Sequence, residues 1–122
     1  MSTEKEGRKI PSVEARGWVQ KEGYETRLLA DAREMNAPEA EVQLVKFCKG
    51  KYGHHHERKT EFFYFTAGQG RVIIDGEEQE ITPGTELQVR PGTHHEFINE
   101  SNEPLEAIMF KTNSQPDDTF TE

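Results

Sequence analysis

Cysteine is almost missing from this sequence. Cys48 stands alone, so no disulfide can form within the chain, which suits a reducing cytoplasm. Long apolar runs are missing too, and none approaches the roughly 20 residues of a membrane-spanning helix. The opening MSTEKEGRKI has no apolar stretch behind its charges, so no secretory leader is expected. Positive charge is in deficit: 15 basic residues against 23 acidic ones give a net charge of −8. Such a surface repels phosphate backbones and is not drawn to anionic lipid, so neither nucleic acid nor membrane is an expected partner. Apolar residues make up only 32% of the 122-residue chain and charged residues 31%. That supports one domain with a modest core, of the kind that gains burial by pairing with a second copy.

What remains reads as β-structure. VQLVKFC, from Val42, alternates with a period of two, placing Gln43, Val45 and Phe47 on one face. EFFYFTA, RVIIDG, EEQEIT, ELQVR, HEFIN and LEAIMFK follow, short and mostly rich in β-branched or aromatic residues. Gly68-Gln69-Gly70, Asp75-Gly76, Pro83-Gly84, Pro91-Gly92 and the Asn99–Pro104 stretch punctuate them. Asp75-Gly76 is a strong hairpin signal. Upstream, Tyr24–Ala30 is a candidate first strand, and Asp31–Asn36 a short helix limited by Pro38. Many short strands without a long helical pattern predict an all-β sandwich or barrel. Residues 1–16 are expected to be a flexible arm, 17–112 the barrel and 113–122 a frayed tail.

His54, His55 and His56 are consecutive. On a strand His54 and His56 share a face and His55 takes the other. Glu61 opens the next strand on one face with Phe63 and Phe65, opposite Phe62 and Tyr64. His95 opens a later strand, with His94 turned away. Taken singly, each is ordinary: an H-x-H pair is more commonly surface or packing, and a lone glutamate more commonly exposed. Together, two histidines on one strand, a carboxylate on its neighbour and a histidine on a third can converge inside a barrel. Such donors suit Mn(II), Fe(II), Co(II), Ni(II) or Zn(II).

The first histidine stretch resembles the opening motif of the cupins, G-x5-H-x-H-x3-4-E-x6-G, running from His54 and His56 through Glu61 to Gly68. The stretch from Gly84 through Pro91, Gly92 and His95 to Asn99 resembles their second, G-x5-P-x-G-x2-H-x3-N. Two departures stand out: Cys48 takes the place of the opening glycine, with glycines at 50 and 53, and Arg90 replaces the first proline. The resemblance implies a double-stranded β-helix, or jelly-roll barrel, commonly dimeric. It also implies one divalent transition metal per chain on His54, His56, Glu61 and His95, with Asn99 structural. For this chain a homodimer is expected, with Tyr24–Ala30 as a candidate contact.

Phe63, Phe65, Val72, Ile74, Leu87, Val89 and Phe97 are read as core filling more readily than as pocket lining, and Tyr64 and Arg90 as exterior. Cys48 is expected to be an inert buried thiol. Glu57-Arg58-Lys59-Thr60 reads as a solvated turn, with Arg58 or Lys59 as rim charges able to guide an anionic substrate. No spare acid–base group is evident on an inward face, so catalytic residues stay unassigned. Fold alone does not give the reaction. A metalloenzyme acting on a small oxygenated molecule, by dioxygenase-like chemistry or sugar or carbonyl isomerisation, is the first expectation. A non-catalytic small-molecule binding or sensing domain is the alternative.

Overall fold

The computed structural model describes residues 16–114, 118 and 120–121. Apart from Arg16, the expected N-terminal arm lies outside them. The strands are β1 (Val19–Gln20), β2 (Tyr24–Ala30), β3 (Glu41–Phe47), β4 (Gly50–His55), β5 (Thr60–Ala67), β6 (Gly70–Ile74), β7 (Glu77–Ile81), β8 (Glu86–Val89), β9 (His95–Asn99), β10 (Leu105–Thr112) and β11 (Phe120–Thr121), with a short helix α1 (Ala32–Met35) between β2 and β3. They form a six-stranded sheet, β1-β2-β3-β10-β5-β8, and a five-stranded sheet, β11-β4-β9-β6-β7. Every pairing is antiparallel. This is the all-β jelly-roll barrel that the sequence predicts.

Local chemistry explains the connections. Asp75 and Gly76 take φ of 48° and 86°, the left-handed pair that a two-residue hairpin between β6 and β7 requires. Asp31 accepts from the Glu34 amide at 2.8 Å while Glu34 accepts from the Asp31 amide at 3.0 Å. That capping box starts α1, and Asn36 closes it at φ 53°.

The core forms where the inward faces of the two sheets meet. Phe47 of β3 stacks on Phe97 of β9 with ring centroids 4.7 Å apart, and Phe63 of β5 meets Phe97 edge-on at 5.1 Å. Phe65, Val72, Leu87 and Val89 fill the interior, with Ile74 packed partly buried against them. Tyr64 and Arg90 are exposed, as expected. Asn99 is buried and acts as a cross-tie, donating to the carbonyls of Phe47 at 3.0 Å and Glu103 at 2.9 Å and accepting from the Ser101 amide at 2.9 Å.

Two expectations need correction. Asp118 is buried, and Phe120–Thr121 pairs with His54–His55 of β4, so the expected frayed tail is docked at these residues. Cys48 is exposed, because β3 ends at Phe47 and the chain turns outward there. Tyr24–Ala30 pairs with β3 along most of its length and with β1 only at Glu25 and Thr26. Among the described residues no helix is long and apolar enough to cross a membrane.

Gly68, the last residue of the first motif, has φ +86°, and a Cβ there would sit 2.3 Å from the Pro104 carbonyl oxygen. Gly76 shares the positive φ but would meet nothing within 4 Å. Gly76→Ala should therefore cost about 1 kcal/mol from conformation alone. Gly68→Ala should cost on the order of 3 kcal/mol, since backbone must also move. Urea unfolding of both variants checks the ranking, and equal losses would refute it.

Candidate metal centre

The site lies where the two sheets meet at one end of the barrel. In the five-stranded sheet His54 of β4 sits directly opposite His95 of β9. His56 follows the end of β4, in the turn that crosses to the other sheet. There Glu61 points inward from β5, between Lys111 of β10 and Val89 of β8. The alternation expected for β5 holds: Glu61, Phe63 and Phe65 are buried, Phe62 and Tyr64 exposed.

The donor atoms of His54, His56, Glu61 and His95 all lie within 4.8 Å of one another. Glu61 Oε1 is buried and accepts no hydrogen bond of good geometry, although it stands 3.2 Å from His56 Nε2 and 3.7 Å from His95 Nε2. The His54 ring lies 4.4 Å from His95 and 4.9 Å from His56 between centroids. His55 and His94 stack on each other at 4.6 Å, with Phe120 on His55 at 5.2 Å, outside the cluster.

Electrostatics keep two of the donors, His54 and Glu61, in ligand form. Burial, and then the neighbouring His95, bring the His54 pKa down to about 4, so its imidazole is neutral at pH 7. Burial works to raise the Glu61 pKa, but contact with His56 and the charges of His95 and Lys59 outweigh it and bring it to about 2. The His56 Nδ1–H donates to the Asp118 carbonyl at 2.7 Å, which leaves Nε2 as the nitrogen facing Glu61. His95 Nδ1 makes a longer contact, 3.3 Å, with the Thr93 carbonyl. Three imidazoles and an ionised carboxylate, two of the rings oriented from behind, are a donor set that can hold a divalent transition ion.

The turn between the ligand strands is clamped from outside. Asp118 accepts from the amides of Glu57 at 2.9 Å, Arg58 at 3.0 Å and Lys59 at 2.9 Å. Burial would raise the Asp118 pKa, but these three donors outweigh it and hold the carboxyl below its ordinary value. The Gly92 amide donates to the His56 carbonyl at 2.5 Å, so the Pro91-Gly92 turn of the second motif fixes the backbone of a clustered histidine in the first.

A cavity of about 430 Å³ opens beside the cluster. Its apolar wall includes Phe47, Phe63 and Phe97, and its polar wall Tyr24, Thr26, Gln43, Lys59 and Lys111. The sequence reading missed most of the polar wall. Lys59 was expected on a solvated turn and is buried, whereas Arg58 is exposed. The signal was present in the strand parity. Lys59 continues the inward series 61, 63, 65 backwards, and Lys111 continues 105, 107, 109 forwards to the barrel mouth.

A model of the cupin domain matches residues 46–111, more than half of the chain. The chain belongs to the cupin family. No curated protein sequence matches it. Among solved structures, this cupin is similar to KdgF from Halomonas sp., at 20% identity and a TM-score of 0.72, over 91% of this chain and 98% of that one. It is similar to Streptomyces Pac13 with uridine, at 18% identity and a TM-score of 0.78, over 96% and 92%, and Pac13 is described as a nucleoside dehydratase. It also resembles a predicted oxalate decarboxylase from Thermotoga maritima, at 20% identity and a TM-score of 0.69, over 85% and 98%. At these identities the likeness establishes the shared cupin fold.

Removing the Asp118 carboxylate strands three amides at once. Asp118→Ala should lower the stability of the metal-free protein by about 1–3 kcal/mol, and Asp118→Asn, which keeps one acceptor oxygen, by less. Thermal unfolding of the two variants tests this, and an unchanged melting temperature for Asp118→Ala would show that the clamp contributes nothing.

Proposed function

We propose that this cupin is a mononuclear metalloenzyme acting on a small oxygenated molecule, with His54, His56, Glu61 and His95 holding one divalent transition ion. The observation that carries the reading is the junction of a four-donor cluster with a cavity of about 430 Å³. A divalent ion bound there supplies Lewis acidity to a carbonyl or hydroxyl oxygen. The chain's own groups provide the rest. Phe47, Phe63 and Phe97 keep water from one side of the cavity. Tyr24 brings a phenol whose pKa is raised by burial and then by Glu61, so it stays protonated as a donor to substrate oxygen. Sugar or carbonyl isomerisation and dioxygenase-like chemistry are the two reactions that this arrangement can serve. Screening for sugar isomerisation alongside oxygen uptake separates the two. A sensing role is the second reading. Under it, metal-loaded Glu61→Gln should lose thermal stability, with no turnover to lose in the parent protein.

Metal uptake tests the ligand set. Elemental analysis of untagged protein purified without chelator should give about one transition-metal ion per chain. His54→Ala, His56→Ala and His95→Ala should each weaken affinity by roughly tenfold or more, and His55→Ala and His94→Ala far less. A loss at His55 equal to that at His54 would refute the assignment.

The reading includes a cytoplasmic location, supported by the exposed lone thiol of Cys48, which an oxidising compartment would leave open to intermolecular pairing. It also includes a homodimer. Support comes from the outer face of the six-stranded sheet, where Phe62 lies beside Phe110 and Tyr64 beside Ile108, all four exposed. Light scattering should give about twice the 14.0 kDa chain mass. Phe62→Asp with Phe110→Asp should give the monomer mass, and a wild-type monomer would overturn the proposal.

A further inference from the structure

The protein as a whole is acidic, yet its cavity wall is not. Lys21, Lys59 and Lys111 line it, against Glu41 and Glu61. Three cations and two anions leave one positive charge in excess before any metal is counted. Glu61, in the donor cluster, offsets part of the Lys59 charge, and Glu41 pairs with Lys111 at 3.6 Å. Lys59 is 6% exposed, and among the described residues no carboxylate forms an ion pair with its ammonium. Asp118, the next acid near it, is already occupied by three amides. Lys111, opposite Glu61 on β10, lines the same cavity as Lys59. Two like charges on a partly desolvated wall repel, and each has donor protons to give.

Resting on the cavity as the substrate site, we infer that the substrate carries an anionic group, carboxylate or phosphate, seated between Lys59 and Lys111, while its oxygen functions face the His54, His56, Glu61 and His95 cluster. An oxyanion there relieves the repulsion and accepts hydrogen bonds from both ammonium groups. The two lysines approach from different strands, Lys59 from the turn before β5 and Lys111 from β10. The subsite therefore reads position along the cavity as well as charge. Lys59 and Lys111 are thus specificity-determining, and the substrate class narrows from small oxygenated molecules to anionic ones of that kind.

The test uses the full chain, metal-free and Mn(II)-loaded, with succinate, inorganic phosphate and neutral glycerol as probes, followed by calorimetry and thermal shift. Succinate or phosphate should bind saturably and raise the melting temperature of the metal-free protein, and glycerol should do neither. The probe that binds assigns the anionic group as carboxylate or phosphoryl. Lys59→Met with Lys111→Met should weaken that binding by roughly tenfold or more, the worth of a charged hydrogen bond. Arg33→Met, on the exposed helix α1, should leave it unchanged. Methionine keeps the buried stem and removes the charge. Ligand-free Lys59→Met should therefore melt no lower than wild type, whereas a lysine serving only the fold would be missed. Absence of anion binding in both metal states, or equal binding by the double variant, overturns the inference. Failure of Mn(II) to bind would instead count against the metal reading and leave the metal-free arm standing.

Discussion

A glutamate sealed inside a barrel is the constraint from which the site follows. An ionised carboxylate moved out of water loses several kcal/mol of solvation, and it persists only where positive charge or donors come to it. Here Glu61 is 4% exposed and stays ionised because the rings of His56 and His95 and the ammonium of Lys59 gather round it. The gathering draws on both sheets. Glu61 belongs to the six-stranded sheet, His54 and His95 to the five-stranded one, and His56 to the turn between them. Any register slip in β4, β5 or β9 would turn a ligand outward and leave the carboxylate stranded. The site and the barrel therefore depend on the same alternation of side chains.

Much of the fold could be read from the sequence because its strands are short, alternating and bounded by strong turn residues. RVII-Asp75-Gly76-EEQEI is the clearest case, since the left-handed φ of both turn residues admits few alternatives. The region from Cys48 to Gly53 was less legible. Its two glycines suggest a turn, yet Gly50 opens β4 because the Tyr52 ring folds back over it. A Cβ on Gly23 would strike that ring at 2.1 Å, and one on Gly50 would strike the Tyr52 hydroxyl at 2.8 Å. Glycine at 50 thus meets a close approach after Cys48 has replaced the motif's opening glycine. The docking of Asp118 and Phe120 left no trace in a polar, periodless segment, because it depends on amides presented by a turn far away in sequence.

The four clustered donors were legible for a different reason. Three of them fall within eight residues at strand parity, and the fourth opens a later strand inside a second motif, so the combination marks them where no single residue does. Lys59, Lys111 and Tyr24 carry no such signature. A lysine beside a turn looks solvated until the opposite wall is known, and Lys111 is the last inward residue of a strand whose inner face is otherwise apolar. Their common environment arises only when β2, β5 and β10 close on one another, so it is a property of the barrel and of no single segment.

The clamp at Asp118 sets an order of assembly. The carbonyl that orients His56 lies 62 residues further along the chain. Every strand from β5 to β10 is therefore laid down before that contact can form, and closing so large a loop is favourable only once those strands already hold its ends together. The setting of the His56 ring thus depends on a contact that only the closed barrel holds together. A partly made chain can hold the histidines and the glutamate in its sequence without yet presenting them as a finished centre.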